Sequence, residues 1–159
     1  MGAPAHASAS QLVVFLLDAR RHALALPSVE RVLPMVAVAP LPEAPPVASG
    51  VINVGGTIVP VFDLRVRFAL PRPGYGLSAQ LLLVRTPRRQ VALATDRVLG
   101  VIDVGADSMT SVDTTVPGTR GLAGIVALAD GLVFIHDLDA LLSLDEEQRL
   151  DRAIEAAAG

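Results

Sequence analysis

Two aspartates and two histidines are the residues whose types and spacing could do chemistry in this chain. Asp63 and Asp137 stand seventy-four positions apart, in Val61-Phe-Asp-Leu64 and Ile135-His-Asp-Leu138. Carboxylates brought face to face by a duplicated fold could share one proton and activate water, which would make the chain a pseudo-symmetric aspartate-dependent hydrolase. Each of them, however, precedes Leu rather than the Thr-Gly or Ser-Gly that builds such a dyad's loop. Each also sits where a helical turn should begin, and a carboxylate there caps free backbone N–H groups. Capping is therefore the expectation for both, a structural role. His22 and His136 could form a metal pair or a proton shuttle, with Asp137 orienting His136. No third ligand stands at helical or hairpin spacing, and no Ser occupies a nucleophile motif, so the reading is polar residues at strand ends.

Composition closes further routes. The chain has no Cys, hence no disulfide, thiol nucleophile or thiolate metal site. All 13 of its basic residues are Arg, so neither a Schiff-base amine nor a phosphate-loop lysine is available, and Gly50 to Gly56 is no phosphate loop. A net charge of -3, no Trp and one Tyr argue against nucleic acid as a partner. No cofactor, no metal and no enzyme activity are expected. No uninterrupted apolar run approaches the ~18 residues of a membrane span, so no membrane insertion is expected and a cytoplasmic location fits best. Met1 to Ser10, rich in Ala, Ser, Gly and Pro, reads as a flexible tail.

The elements that would position Asp63 and Asp137 are duplicated with them. Gly50-Val-Ile-Asn-Val-Gly-Gly-Thr-Ile-Val-Pro-Val-Phe-Asp-Leu-Arg65 reads as a hairpin turning at Gly55-Gly56, followed by a helical turn capped by Asp63. Gly50 falls on Gly124, Val54 on Leu128, Ile58 on Leu132 and Phe68 on Leu142 without a gap. Upstream, Leu12 to Leu17 and His22 to Leu26 form a first hairpin, echoed by Leu81 to Val84 and Val91 to Ala94. The first apolar run suits a strand buried on both faces. Glu30-Arg-Val-Leu33 is echoed by Asp96-Arg-Val-Leu99, and Ser28 is expected to cap a short helix over Val29 to Val32. Gly105 to Arg120 reads as a polar loop. Ser143-Leu-Asp-Glu146 has capping-box spacing and opens a helix over 143–159.

With 52% apolar residues and a mean hydropathy of +0.53, there is material for a core, but halves of 60 to 75 residues are too small to stand alone. The expected fold is mainly β: two small pseudo-symmetric, closed or nearly closed β-barrels sharing a hydrophobic core, with short helices and a C-terminal helix. Subdomain one would cover about 11–70 and subdomain two about 78–142. What such a chain offers is edges and grooves for binding other proteins.

Val13-Val-Phe-Leu-Leu, His22-Ala-Leu-Ala-Leu, Val29-Glu-Arg-Val32, the Gly50 to Arg65 stretch, Thr95-Asp-Arg-Val98 and Asp137-Leu-Asp-Ala-Leu-Leu142 together resemble CheW-like domains, the coupling proteins of bacterial chemosensory arrays. The resemblance spans about Gln11 to Leu142 and implies two pseudo-symmetric five-stranded SH3-like barrels around the shared hydrophobic core. It implies an adaptor that bridges the cytoplasmic tip of chemoreceptors to the regulatory domain of a CheA-type histidine kinase, assembles with other CheW-like proteins and is recruited to arrays. By position it implies a receptor groove at Val29, Arg31, Val32 and Val98, and a kinase or receptor contact at the hairpin tip, Asn53, Gly55 and Gly56. Two departures stand out: the family usually has Arg where this chain has Gly55, and an acidic residue where it has Arg31. They open an alternative, a divergent accessory protein that has lost one interface and modulates array assembly.

Overall fold

The computed structural model describes residues 9–71, 74–105, 109–111 and 122–158. Among these residues the strands are β1 (Ala9–Leu17), β2 (Arg20–Ala25), β3 (Val29–Pro34), β4 (Ala48–Val54), β5 (Thr57–Phe62), β6 (Gln80–Arg85), β7 (Gln90–Thr95), β8 (Arg97–Gly105), β9 (Met109–Ser111), β10 (Leu122–Leu128) and β11 (Gly131–His136). The helices are α1 (Leu64–Arg67) and α2 (Leu144–Ala158), and single 3-10 turns cover Leu26–Ser28 and Leu138–Ala140.

The hairpins form as the apolar runs and turn residues demand. In β4–β5, Val54 pairs Thr57 and leaves Gly55-Gly56 as the turn, with φ of 58° and 92°. Both values are positive, as a primed two-residue turn requires. In β10–β11, Leu128 pairs Gly131, seventy-four positions on, and both hairpins slip register at the same place, after Ala48 and after Leu122. Gly50 is fixed by crowding: a Cβ there would lie 2.2 Å from the Ala39 carbonyl oxygen, because Ala39 and Val51 exchange backbone hydrogen bonds across it. The duplication is thus real down to its bulges.

The strands do not sort into sheets at the boundary drawn from the repeat. One sheet runs β8-β1-β2-β11-β10-β9, the other β3-β6-β7-β5-β4. Each therefore takes the opening hairpin of one half and the remaining strands of the other. The division at 11–70 and 78–142 follows the repeat, whereas the sheets follow this exchange. The joins are parallel, Phe134 beside His22 in one sheet and Val61 beside Ala92 in the other.

The exchange explains why β1 is apolar throughout. Val13, Phe15 and Leu17 face one way, into a core that also holds Leu24, Leu82, Val84, Val91 and Leu93 and so joins both sheets. Leu12 and Val14 face the other way, against Ala23, Val126, Val133 and Ile135. In the second sheet Leu81, Leu83, Ala92 and Ala94 likewise turn away from the shared core, onto Ile52, Val59 and Val61. Alternation at period two makes each central strand serve two cores at once.

The protein is mainly β with an SH3-like two-sheet plan, as expected, but both sheets are open and the first gains a short sixth strand, β9. Val29 to Val32 is the clearest local correction. The helical turn stops at Ser28, and Val29 onward is the edge strand β3, pairing with Leu81 to Val84. Two β-branched valines against an apolar partner strand outweigh the capping signal of Ser28. Of the polar stretch read as a loop, Met109–Ser111 pairs with β10, and most of the rest lies outside the described residues, as does most of the N-terminal tail. Helix α2 starts with the capping box, Ser143 Oγ accepting from Glu146 N–H and Glu146 Oε1 from Ser143 N–H. It lays Leu150 and Ala153 on the shared core.

Candidate functional site

The two aspartates do not form a dyad. Asp63 accepts from the backbone N–H of Arg65 at 3.0 Å, and Asp137 accepts from that of Asp139 at 3.0 Å, so each carboxylate caps its own turn. The hydrolase reading fails on these bonds, since both groups are committed where they stand. Asp63 does more than cap: it also takes the Arg65 Nε at 3.0 Å and Nη2 at 2.9 Å, with both residues more than nine-tenths buried. Tyr75 lies against the guanidinium, 3.9 Å from its ring centroid. Burial, and then the Asp63 charge, hold the Tyr75 hydroxyl above its ordinary range.

His22 and His136 do meet, which the reading as isolated strand-end residues missed. The parallel join of β2 and β11 brings His22 Nδ1 to 2.8 Å from His136 Nε2, with both side chains buried. The rings stack at 5.0 Å between centroids, and Phe15 and Phe68 pack on them. Two nitrogens at this distance share a proton. A zinc ion between them would hold them roughly 3.3 Å apart, given Zn–N near 2.0 Å and tetrahedral angles. Among the described residues no group of three or more His, Cys, Asp or Glu could ligate a metal. Burial, and then the Arg20 charge, lower the His22 pKa to about 4, so this ring is neutral at neutral pH. No signal at helical or hairpin spacing could have disclosed the pair, because its two members come from different halves.

The residues assigned to a receptor groove fall on the two equivalent edge strands. Val32, 41% exposed on β3, lines an open groove with Leu33, Pro34, Leu77, Ala79 and Arg97. Val29 and Val98 are half-buried and pack on the shared core. Val98 N–H is held by the Gln80 side chain at 2.9 Å, which ties β8 to β6. Arg31 is exposed, opposite Leu83 and just past a bulge. Sequence reading passed over Leu77, which is fully exposed, because it stands in a turn-rich segment with no periodicity.

At the hairpin tip Asn53, Gly55 and Gly56 are all exposed. Asn53 Oδ1 accepts from Gly56 N–H at 2.7 Å and so holds the turn closed. A Cβ at Gly55 would meet nothing within 4 Å. Ile58, opposite Asn53, leaves an apolar side chain 48% exposed beside the tip.

Comparison with known proteins places these features in a wider set. Residues 11–146 match the model of the CheW-like domain family. The chemotaxis protein CheW of Klebsiella aerogenes is 25% identical over 143 residues, covering 89% of this chain and 86% of that protein. CheW of Thermotoga maritima is 23% identical over 132 residues, covering 83% and 87%. Among solved structures, the scaffolding protein TtCheW from Thermoanaerobacter tengcongensis superimposes with a TM-score of 0.78 at 27% identity, over 86% of this chain and 94% of that one.

Proposed function

Because the chain belongs to the CheW-like domain family, we propose that it is a non-catalytic cytoplasmic adaptor that couples chemoreceptors to a CheA-type histidine kinase in a chemosensory complex. The observation that carries this reading is the match along residues 11–146, almost the whole described fold. Its receptor contact is the groove beside β3, where Val32 and Leu77 expose apolar surface to an amphipathic helical tip. Arg97, exposed in the lining, gives that groove a basic side, and Arg31 is exposed on the same strand as Val32. A receptor tip suited to this chain is therefore expected to carry acidic residues where it passes Arg97. The hairpin tip, with Ile58 beside it, is the second contact, toward the kinase regulatory domain or another CheW-like protein.

Calorimetric titration of the purified chain against each partner separately tests the proposal. Binding to both at tens of micromolar or tighter is expected, and binding to neither refutes it. The exposed Gly55, standing where the family usually has Arg, supports a second reading, an accessory protein that keeps one interface. Under that reading the chain binds one partner only, and Gly55→Arg restores the other. No gain from Gly55→Arg counts against it.

A further inference from the structure

Above the histidine pair lies a cavity of about 150 Å³ that the adaptor role does not use, lined by Arg20, His22, Phe68, Leu70, Leu122 and Phe134 together with His136. We propose that it binds a small amphipathic carboxylate, a flat aromatic or branched acid. The acid's apolar body would fill the space among Phe68, Leu70, Leu122 and Phe134, and its carboxylate would meet the exposed Arg20.

The size and lining fit this class. An apolar cavity of this volume takes a benzene-sized body, and ligand sites are mostly apolar with a few placed polar groups. Arg20 and His22 Nε2 lack partners among the described residues. Among the described residues Arg20 has no ion-pair partner, whereas its neighbour Arg21 is engaged by Asp130 at 3.0 Å. His22 is 4% exposed, and its Nε2 has no hydrogen-bond partner. When His136 donates to His22 Nδ1, neutral His22 carries its proton on Nε2 and has nothing to give it to. Arg20, exposed at the cavity, is the group that can meet a carboxylate. Burial and Arg20 hold the His22 pKa to about 4, so at neutral pH this ring is neutral beside the Arg20 cation.

The repeat shows that the fold does not require these groups. The parallel joins align Ala23 with Ala92 and Ile135 with Val61, which places Val91 where His22 stands and Phe62 where His136 stands. Both counterparts are buried apolar residues of the shared core. Arg89, the counterpart of Arg20, is committed to Asp151 and Glu147 on α2. One half therefore closes this position with apolar packing, and the other opens a cavity edged by an unpaired cation.

The test follows the imidazole signals of His22 and His136 by NMR in the full chain at neutral pH, titrated with benzoate, benzyl alcohol and acetate. Benzoate is expected to shift both rings saturably, with benzyl alcohol about tenfold weaker for want of the charge-assisted bonds and acetate showing no saturation. Arg20→Gln should weaken benzoate about tenfold and leave benzyl alcohol unchanged. Leu70→Trp, or Leu122→Trp should the first fail to fold, fills the cavity and should abolish the response. The proposal is overturned by the absence of a saturable benzoate shift, by equal binding of benzoate and benzyl alcohol, by indifference to Arg20→Gln, or by a response that survives the tryptophan. None of these readouts involves a receptor or a kinase, so they stand or fall apart from the adaptor role.

Discussion

The turn after β5 and the turn after β11 descend from the same segment and keep the same backbone, yet they are finished with different chemistry. Both hairpins share register and bulge, and both end in an aspartate that accepts from the N–H two residues on. After β5, Asp63 is buried and grips Arg65 through two further bonds, and Phe62 before it fills the shared core. After β11, Asp137 is exposed, Asp139 stands in place of Arg65, and the preceding residue is His136 of the buried pair. What the two copies share is what the backbone needs: a turn, a bulge and a cap. What differs has been free to take other work, a buried ion pair on one side and a polar pair under a cavity on the other.

Breaking the ion pair should separate the two turns most sharply. Asp63→Ala removes the cap and also strips the buried Arg65 of its carboxylate, a change that costs about 3 to 5 kcal/mol when one member of a buried pair is lost. Asp137→Ala removes a cap at an exposed site and should cost about 1 kcal/mol. Urea unfolding of both variants measures the contrast, and equal losses would show that the ion pair adds nothing beyond capping.

The histidine side is sharpened by pH. His22 in the folded chain titrates near 4, against an ordinary value of 6.5, because burial and the Arg20 charge disfavour its protonated form. Above pH 6.5 the ring is neutral in folded and unfolded chains, and its contribution is complete. As pH falls from 6.5 to 4, the unfolded chain takes up a proton that the folded chain refuses, and stability drops by about 3 kcal/mol in all. Below 4 both forms are protonated and this loss stops. His22→Val, which copies the other half's Val91, should flatten the unfolding free energy between pH 6.5 and 4.5 relative to the parent chain. A parallel slope in both proteins would assign the pH dependence to other groups.

The smallest effect compares two hairpin tips. Gly55-Gly56 reaches its positive φ values without a Cβ, whereas β1 and β2 turn at Asp18-Ala19 with φ of 52° and 61°. An alanine held there costs about 1 to 2 kcal/mol. Ala19→Gly relieves that strain and should raise stability by about 1 kcal/mol, read as a higher urea midpoint at unchanged slope. No rise would place the strain elsewhere.

Much of this was legible in the residues. Gly55-Gly56, the Asp63 and Asp137 caps, the doubly buried run of β1 and the capping box at Ser143 each follow from local chemistry acting within a few positions. The exchange of hairpins did not show, because a repeat records which segments are alike and says nothing of which copy pairs with which. His22 and His136 were legible as residues but not as a pair, since only the parallel join of β2 and β11 brings them together. Val29 and Val32 were placed on a helix because the Ser28 capping signal is local, whereas the strand partner that overrides it, β6, lies some fifty residues away.

An adaptor must hold two partners at once, and that is measured directly by immobilising the receptor's helical tip and passing over it the kinase regulatory domain, with and without this chain. The account predicts that the kinase domain is retained only when the chain is present, and that Val32→Glu, which places a charge in the apolar groove beside β3, releases it. Retention without the chain, or competition between the two partners for it, would contradict the account.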